Sequence, residues 1–216
     1  MAITSYSELQ DAVRNWGHRG TTDDLLIPDF IQQGENMLNR RLRTLDMYQT
    51  ADMTASTSVN TLALPAGFLE PLALFLKAPG ETDSEEIWFI EPESFTETTN
   101  IRRPQFYTIS TTLVFDSVSD QAYQVEFKYR KKYDIAADTT NWLIQEYPEA
   151  YLYSALYYLA MYTRDATQAQ ANKAEAESLI AMINRHETKR IGNDTRVMRT
   201  ELPFSRTQNF RNQGRY

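Results

Sequence analysis

A chain of 216 residues has material for one good hydrophobic core, or for a core with a small satellite unit. The absence of cysteine excludes disulfide scaffolds, thiolate zinc sites and cysteine nucleophiles together, and suits assembly in a reducing cytoplasm. Residues 188–216 carry +5 while the whole chain carries −7, which leaves −12 on residues 1–187: an acidic body with a basic tail.

No apolar run approaches the roughly 20 residues that would cross a bilayer, so no membrane role is expected. Met1 to Ser5 show no signal-peptide pattern. Chain order then begins with a short helix. Ser5 and Glu8 form a capping box, and Leu9, Val13 and Trp16 recur at helical spacing. Gly17 and Gly20 end it. Pro28 suits the first turn of a second helix, whose apolar face is Phe30, Ile31, Leu38, Leu42 and Leu45. Arg40, Arg41 and Arg43 sit near its C-terminal end, where cations suit the dipole.

The period changes over residues 49–132. Candidate strands are 49–55, 72–76, 106–109, 113–115 and 123–133, jointed by prolines. In the last, Tyr123, Val125, Phe127 and Tyr129 share one face and Gln124, Glu126, Lys128 and Arg130 the other, a half-solvated antiparallel strand. Helix returns after Asn141. Residues 148–160 are apolar nearly all round, which predicts a central helix or one packed on other subunits. A further helix spans about 166–186, with Ala169, Ala176, Ile180 and Ile183 as its seam.

The expected class is therefore α+β: a helical bundle of two N-terminal and two C-terminal helices, with a β-rich insertion and an extended C-terminal arm. The corresponding units are 1–48 with 139–187 (helical core), 49–138 (β-rich insertion) and 188–216 (arm).

Catalytic and metal motifs are missing from the sequence. His18 lies in a glycine-flanked turn and His186 ends a helix. Neither has metal-ligand spacing, so no metal and no cofactor is expected. The segment 81–97 holds seven acidic residues and no Lys or Arg. A calcium loop would need a glycine that is not there. A glycosidase pair is defined by a distance that sequence does not give. A solvated acidic loop, or an acidic wall near DNA, are the other readings.

Tyrosines cluster at Tyr147, Tyr151, Tyr153, Tyr157, Tyr158 and Tyr162. Core packing is the bland reading. A subunit interface is the sharper one, because Tyr brings large area at low entropic cost, and the candidates are Tyr151, Tyr153, Tyr157, Tyr158 and Tyr162. The tail has isolated apolar residues and could not fold alone. It is either a frayed terminus or, the favoured reading, a partner arm. In that arm Phe204, Phe210 and Tyr216 anchor, and Arg190, Arg196, Arg199, Arg206, Arg211 and Arg215 meet acidic groups.

These pieces together resemble a known family. Residues 27–31 (IPDFI) and 38–43 (LNRRLR), then 64–70 (LPAGFLE), 103–107 (RPQFY), 123–133, and 140–143 (TNWL) leading into 148–156 (PEAYLYSAL), are similar in order and spacing to tailed-phage head-to-tail adaptor proteins, the connector or gatekeeper ring below the portal, of the tail tubular protein A type. The likeness covers roughly residues 1–187. It implies a non-enzymatic virion protein at the head–tail interface, assembled in the host cytoplasm. It implies a twelve-fold ring under a dodecameric portal, which extends the DNA channel for passing genomic DNA without sequence-specific binding. That ring offers a platform to the next tail or nozzle protein. It also implies a C-terminal extension that grips the portal. Two rivals stay open: a phage wall-degrading hydrolase using acidic residues, and a DNA-packaging accessory protein, against which the acidic body argues.

Overall fold

The computed structural model describes residues 3–17 and 25–198, with side chains through Arg190. Ser5 caps α1 (Tyr6–Trp16), its hydroxyl accepting from the Glu8 amide at 3.4 Å. Glu8 reaches back one residue further than a capping box requires, taking the Thr4 amide at 2.7 Å. Leu9, Ala12 and Val13 are the buried face. Helix α2 (Ile27–Arg41) carries its proline in the first turn and Arg40 and Arg41 in the last. A 3-10 turn, Leu45–Met47, then leads into the first strand.

Seven strands follow: β1 (Tyr48–Ala55), β2 (Thr61–Leu62), β3 (Phe68–Lys77), β4 (Glu85–Phe89), β5 (Phe106–Ile109), β6 (Leu113–Phe115) and β7 (Tyr123–Lys131). They form one sheet in the order β1-β7-β3-β4-β5-β6-β2. All pairings are antiparallel except β4 with β5. Strands β1 and β2 are sequence neighbours, yet they occupy opposite ends of that order. The short link through residues 56–60 therefore draws the two edges together and curls the sheet until it is nearly closed. Ser58 donates its amide to the Ser119 carbonyl at 2.9 Å, and Phe115 donates to Asn60 at 2.7 Å, tying this link to β6 and to the turn that follows it.

The interior of the curl is its own core. Tyr123, Val125, Phe127 and Tyr129 all face it, as the alternation of β7 requires. Phe127 stacks on Tyr129 at 5.6 Å and on Phe68 at 5.8 Å, and meets Tyr107 edge-on at 6.5 Å.

These findings overturn the expected fold class. The β region is not an insertion carried by a helical bundle. It is a seven-strand, nearly closed barrel-like sheet with its own core, accompanied by five helices. Closure depends on β2, a strand of two residues, and on β4, whose short apolar run of Ile87, Trp88 and Phe89 sits inside the acidic segment.

The remaining helices are α3 (Trp142–Glu146), α4 (Pro148–Tyr162) and α5 (Ala166–Met198). Asn141 caps α3, accepting the Ile144 amide at 3.1 Å. Helix α4 is central and packs on α1, α2, α3 and α5. Its approach to α2 is close: a Cβ at Gly34 would stand 2.9 Å from the Ala155 nitrogen. Helix α5 continues twelve residues past the expected stop at His186, so the first third of the expected arm is helical. Glu187 starts that continuation, accepting from the Leu45 amide at 2.9 Å and from Arg190 at 2.7 Å.

Candidate subunit and partner interfaces

The tyrosines of α4 divide into two kinds. Tyr151 is 1% exposed and spent within the chain. Its hydroxyl donates to Glu35 Oε1 at 3.0 Å and accepts from Asn141 Nδ2 at 3.1 Å. The same Glu35 oxygen accepts the Ile135 amide at 2.7 Å. One turn along α2, Asn39 bonds both backbone groups of Tyr133, donating to its carbonyl at 2.9 Å and accepting its amide at 2.8 Å. Two polar side chains of α2 thus hold the segment that leaves β7. Thr44 and Tyr133 complete the joint, their hydroxyls 2.7 Å apart. Buried backbone groups need partners, and this segment has no strand neighbour to supply them.

The electrostatics follow from enclosure. Burial pushes the Glu35 carboxyl up to about 7, against the pull of the Ile135 amide and the Tyr151 hydroxyl. Burial also raises Tyr151 and Tyr133 above the ordinary phenol range. Asp46 is raised by burial and by its acidic neighbours Asp138 and Glu187. A raised carboxyl is what a hydrolase acid would show. Glu35, however, is 7% exposed, and its two hydrogen bonds tie helix to chain. That is the setting of a structural carboxyl.

The other tyrosines reach the surface. Tyr153 is half-buried and takes Trp16 edge-on at 6.1 Å. Tyr157 and Tyr158 are half-buried and lean on each other at 4.9 Å. Tyr162 is exposed, its ring against Phe30 at 5.5 Å. Met161, next to it in α4, is also exposed, as is Trp16 at the end of α1. A cleft of about 560 Å³ opens there, lined by Trp16, Tyr153, Leu156, Ala160, Asp165 and Gln168. Large, stiff apolar rings in contact with water are the usual material of protein interfaces.

A second exposed set lies on the sheet. The acidic segment 81–97 is not simply a wet loop, because it contains β4. Glu81 takes the Ala78 amide at 3.2 Å and Arg103 at 3.0 Å, which hold its carboxyl below the usual range. Trp88 is 65% exposed, and Phe89 packs edge-on against Tyr107 at 5.6 Å. Composition flagged the acidity of this stretch but not the strand that presents it.

Of the proposed arm, Arg190 pairs with Glu187 and Arg196 lies on the α5 backbone. Arg199, Phe204, Arg206, Phe210, Arg211, Arg215 and Tyr216 fall outside the described residues, as does His18. His186 Nδ1 stands 3.2 Å from the Tyr147 hydroxyl. Among the described residues no cluster of metal-ligating side chains occurs, and no helix is long and apolar enough to cross a membrane.

The curled sheet and the helical layer each carry exposed aromatic rings, Trp88 on one and Trp16 and Tyr162 on the other. Residues 4–200 match the model of the SU10 adaptor protein family, and the chain belongs to that family of structural bacteriophage adaptors. It is a family of virion components rather than of enzymes. A direct comparison with curated proteins finds no match.

Proposed function

We propose that copies of this chain close into a twelve-fold ring beneath the portal at the head–tail interface, extending the DNA channel and offering a platform to the next tail or nozzle protein. The observation that carries the reading is the exposure of large side chains at the ends of α1 and α4, with Trp16 at 57%, Met161 at 56% and Tyr162 at 59%, on a chain of a phage adaptor family. A heterologous contact made by such side chains generates a ring when its rotation closes. Tyr153, Tyr157 and Tyr158 supply area around it, and Tyr151 supports α4 from within. The division into helical core, sheet unit and C-terminal arm lets the helices meet neighbouring copies, the sheet meet the tail and the arm meet the portal. Arginines of the arm would pair with portal carboxylates while Phe204, Phe210 and Tyr216 anchor. DNA passes through without sequence-specific contacts, since an acidic body repels phosphates.

The test is to mix the purified protein with its portal and image the complex. A ring of subunits below the portal is expected. Removal of residues 199–216 should abolish docking and leave the circular-dichroism spectrum of the body unchanged. Equal docking by the shortened chain would sink the arm's role, and a lone subunit on the portal would sink the ring.

A further inference from the structure

We propose that, in the free chain, the basic C-terminal segment 199–216 docks on the outward face of the chain's own sheet, along β1. This goes beyond the portal-arm reading and does not rest on it, because it concerns the chain before any partner arrives.

The surface is a trough of about 530 Å³ lined by Asp52, Thr54, Phe75, Gln124 and Glu126, with Lys77 as its one cation among the described residues. Its charge is unusual for a sheet face. Asp52 stands directly opposite Glu126 in the β1–β7 register, Glu126 opposite Phe75, and Phe75 opposite Glu86. One row across four strands therefore presents three carboxylates and one aromatic ring. Like charges directly opposite each other destabilise a strand pair. Lys128 offsets Glu126 at 3.2 Å and lies over the Phe75 ring at 4.7 Å. Asp52 has no ion pair among the described residues. Trp88, two residues beyond Glu86 on the same face of β4, adds an exposed ring.

The edge beside the trough is open as well. Among the described residues strand β1 pairs with β7 alone, in register over eight residues without a bulge. Such an edge takes an added strand readily unless something covers it.

The occupant follows from charge and path. Residues 199–216 hold four arginines against one glutamate, a net +3, with Phe204, Phe210 and Tyr216 interspersed. Helix α5 advances along the chain that leads into β1: Glu177 pairs with Arg41, Asn184 bonds Arg43, and Glu187 bonds Leu45. At Glu187 it lies beside Leu45, three residues before β1 begins at Tyr48. Eighteen residues at about 3.3 Å each reach far past the trough. Arginines over Asp52 and Glu126 would offset their mutual repulsion, and the rings would cover Phe75 and Trp88. The segment then shields both itself and the acidic face until a stronger partner takes it.

The chain has no cysteine, so two introduced cysteines give clean labels in the full-length protein. Nitroxides at Thr50→Cys and Gln208→Cys should give a short, narrow distance distribution at low salt. The pair Asp52→Lys and Glu126→Lys should broaden it with the circular-dichroism spectrum intact. Should that variant fail to fold, the labelled parent is taken to about 1 M salt, where screening over about 3 Å should collapse the short distance. No short distance at low salt overturns the proposal. So does one that survives both salt and charge reversal, or one seen only when singly labelled chains are mixed.

Discussion

In the helical layer one helix, α4, contacts four others, and the core draws on both ends of the chain, from Leu9 to Met47 and from Tyr133 to Ile183. In the sheet the core comes from one continuous stretch, Ala55 to Tyr129, and is packed around stacked rings. The helical layer admits polar groups into its interior, among them Glu35, Asn39 and Thr44, and uses them to grip the segment leaving β7. The sheet region buries polar groups too, among them Asp116, which accepts the Gln105 and Phe106 amides and pairs with Arg102, but its stacked rings rely on shape. Cavity effects should therefore weigh most among the rings of the sheet, and hydrogen-bond and charge effects most at the joint where α2 grips the segment leaving β7.

The largest expected effect tests the sheet. Phe127→Ala removes a fully buried ring that touches Phe68, Tyr107 and Tyr129, and should cost about 3–5 kcal/mol in urea unfolding. If it unfolds helices and sheet in one transition, the two cores are coupled through the polar joint. Two transitions would separate them.

Next comes Glu35. Its folded carboxyl titrates near 7 and its unfolded one near 4.5, so between these values the folded state holds a proton that the unfolded state has lost. Stability contributed by this group is full below about pH 4.5 and is lost as pH rises through about 7. Glu35→Gln keeps an acceptor for Ile135 and Tyr151 and cannot ionise. At pH 8 it should be the more stable protein, by up to about 3 kcal/mol, with a flatter profile between pH 5 and 8. An unchanged pH profile would show that Glu35 does not titrate in this range.

A smaller effect belongs to the helix contact. Gly34→Ala puts a methyl group against the α4 backbone, and should cost about 1–3 kcal/mol in the same unfolding measurement. The smallest belongs to the exposed Arg41–Glu177 pair at 2.9 Å, where Arg41→Ala should change stability by under about 1 kcal/mol.

Much of the molecule was legible before its structure. Strands β5 and β6 fall where alternation and β-branched content put them, and β7 and β1 differ from expectation by two residues and one at a single end. Helices α1, α2 and α4 follow from caps, prolines and apolar spacing. What was not legible depended on distance or on weak signals. Strand β4 buries only Ile87 among its five residues and reads as part of an acidic loop. Strand β2 is two residues long. The curl that overturned the expected bundle comes from β1 and β2 lying at opposite ends of the strand order, which no local pattern records. Tyr151 looked like its neighbours on α4, and only Glu35, 116 residues away, distinguishes it as interior. The end of α5 was misplaced because apolar periodicity stops at Ile183, while a bond such as Glu187 to Leu45 depends on a residue 142 positions away.

The strand order has a consequence for how the polypeptide matures on the ribosome. Strand β1 can find its neighbour β7 only after Lys131 has emerged, and α1 and α2 wait longer still, for α4. Segments made before β2 must stay unassembled until β7 has been read, and such non-local pairing slows acquisition of the native state. Chaperone dependence in the host should thus last while the residues up to Tyr162 are being made, and ease once the codons for α4 have been decoded.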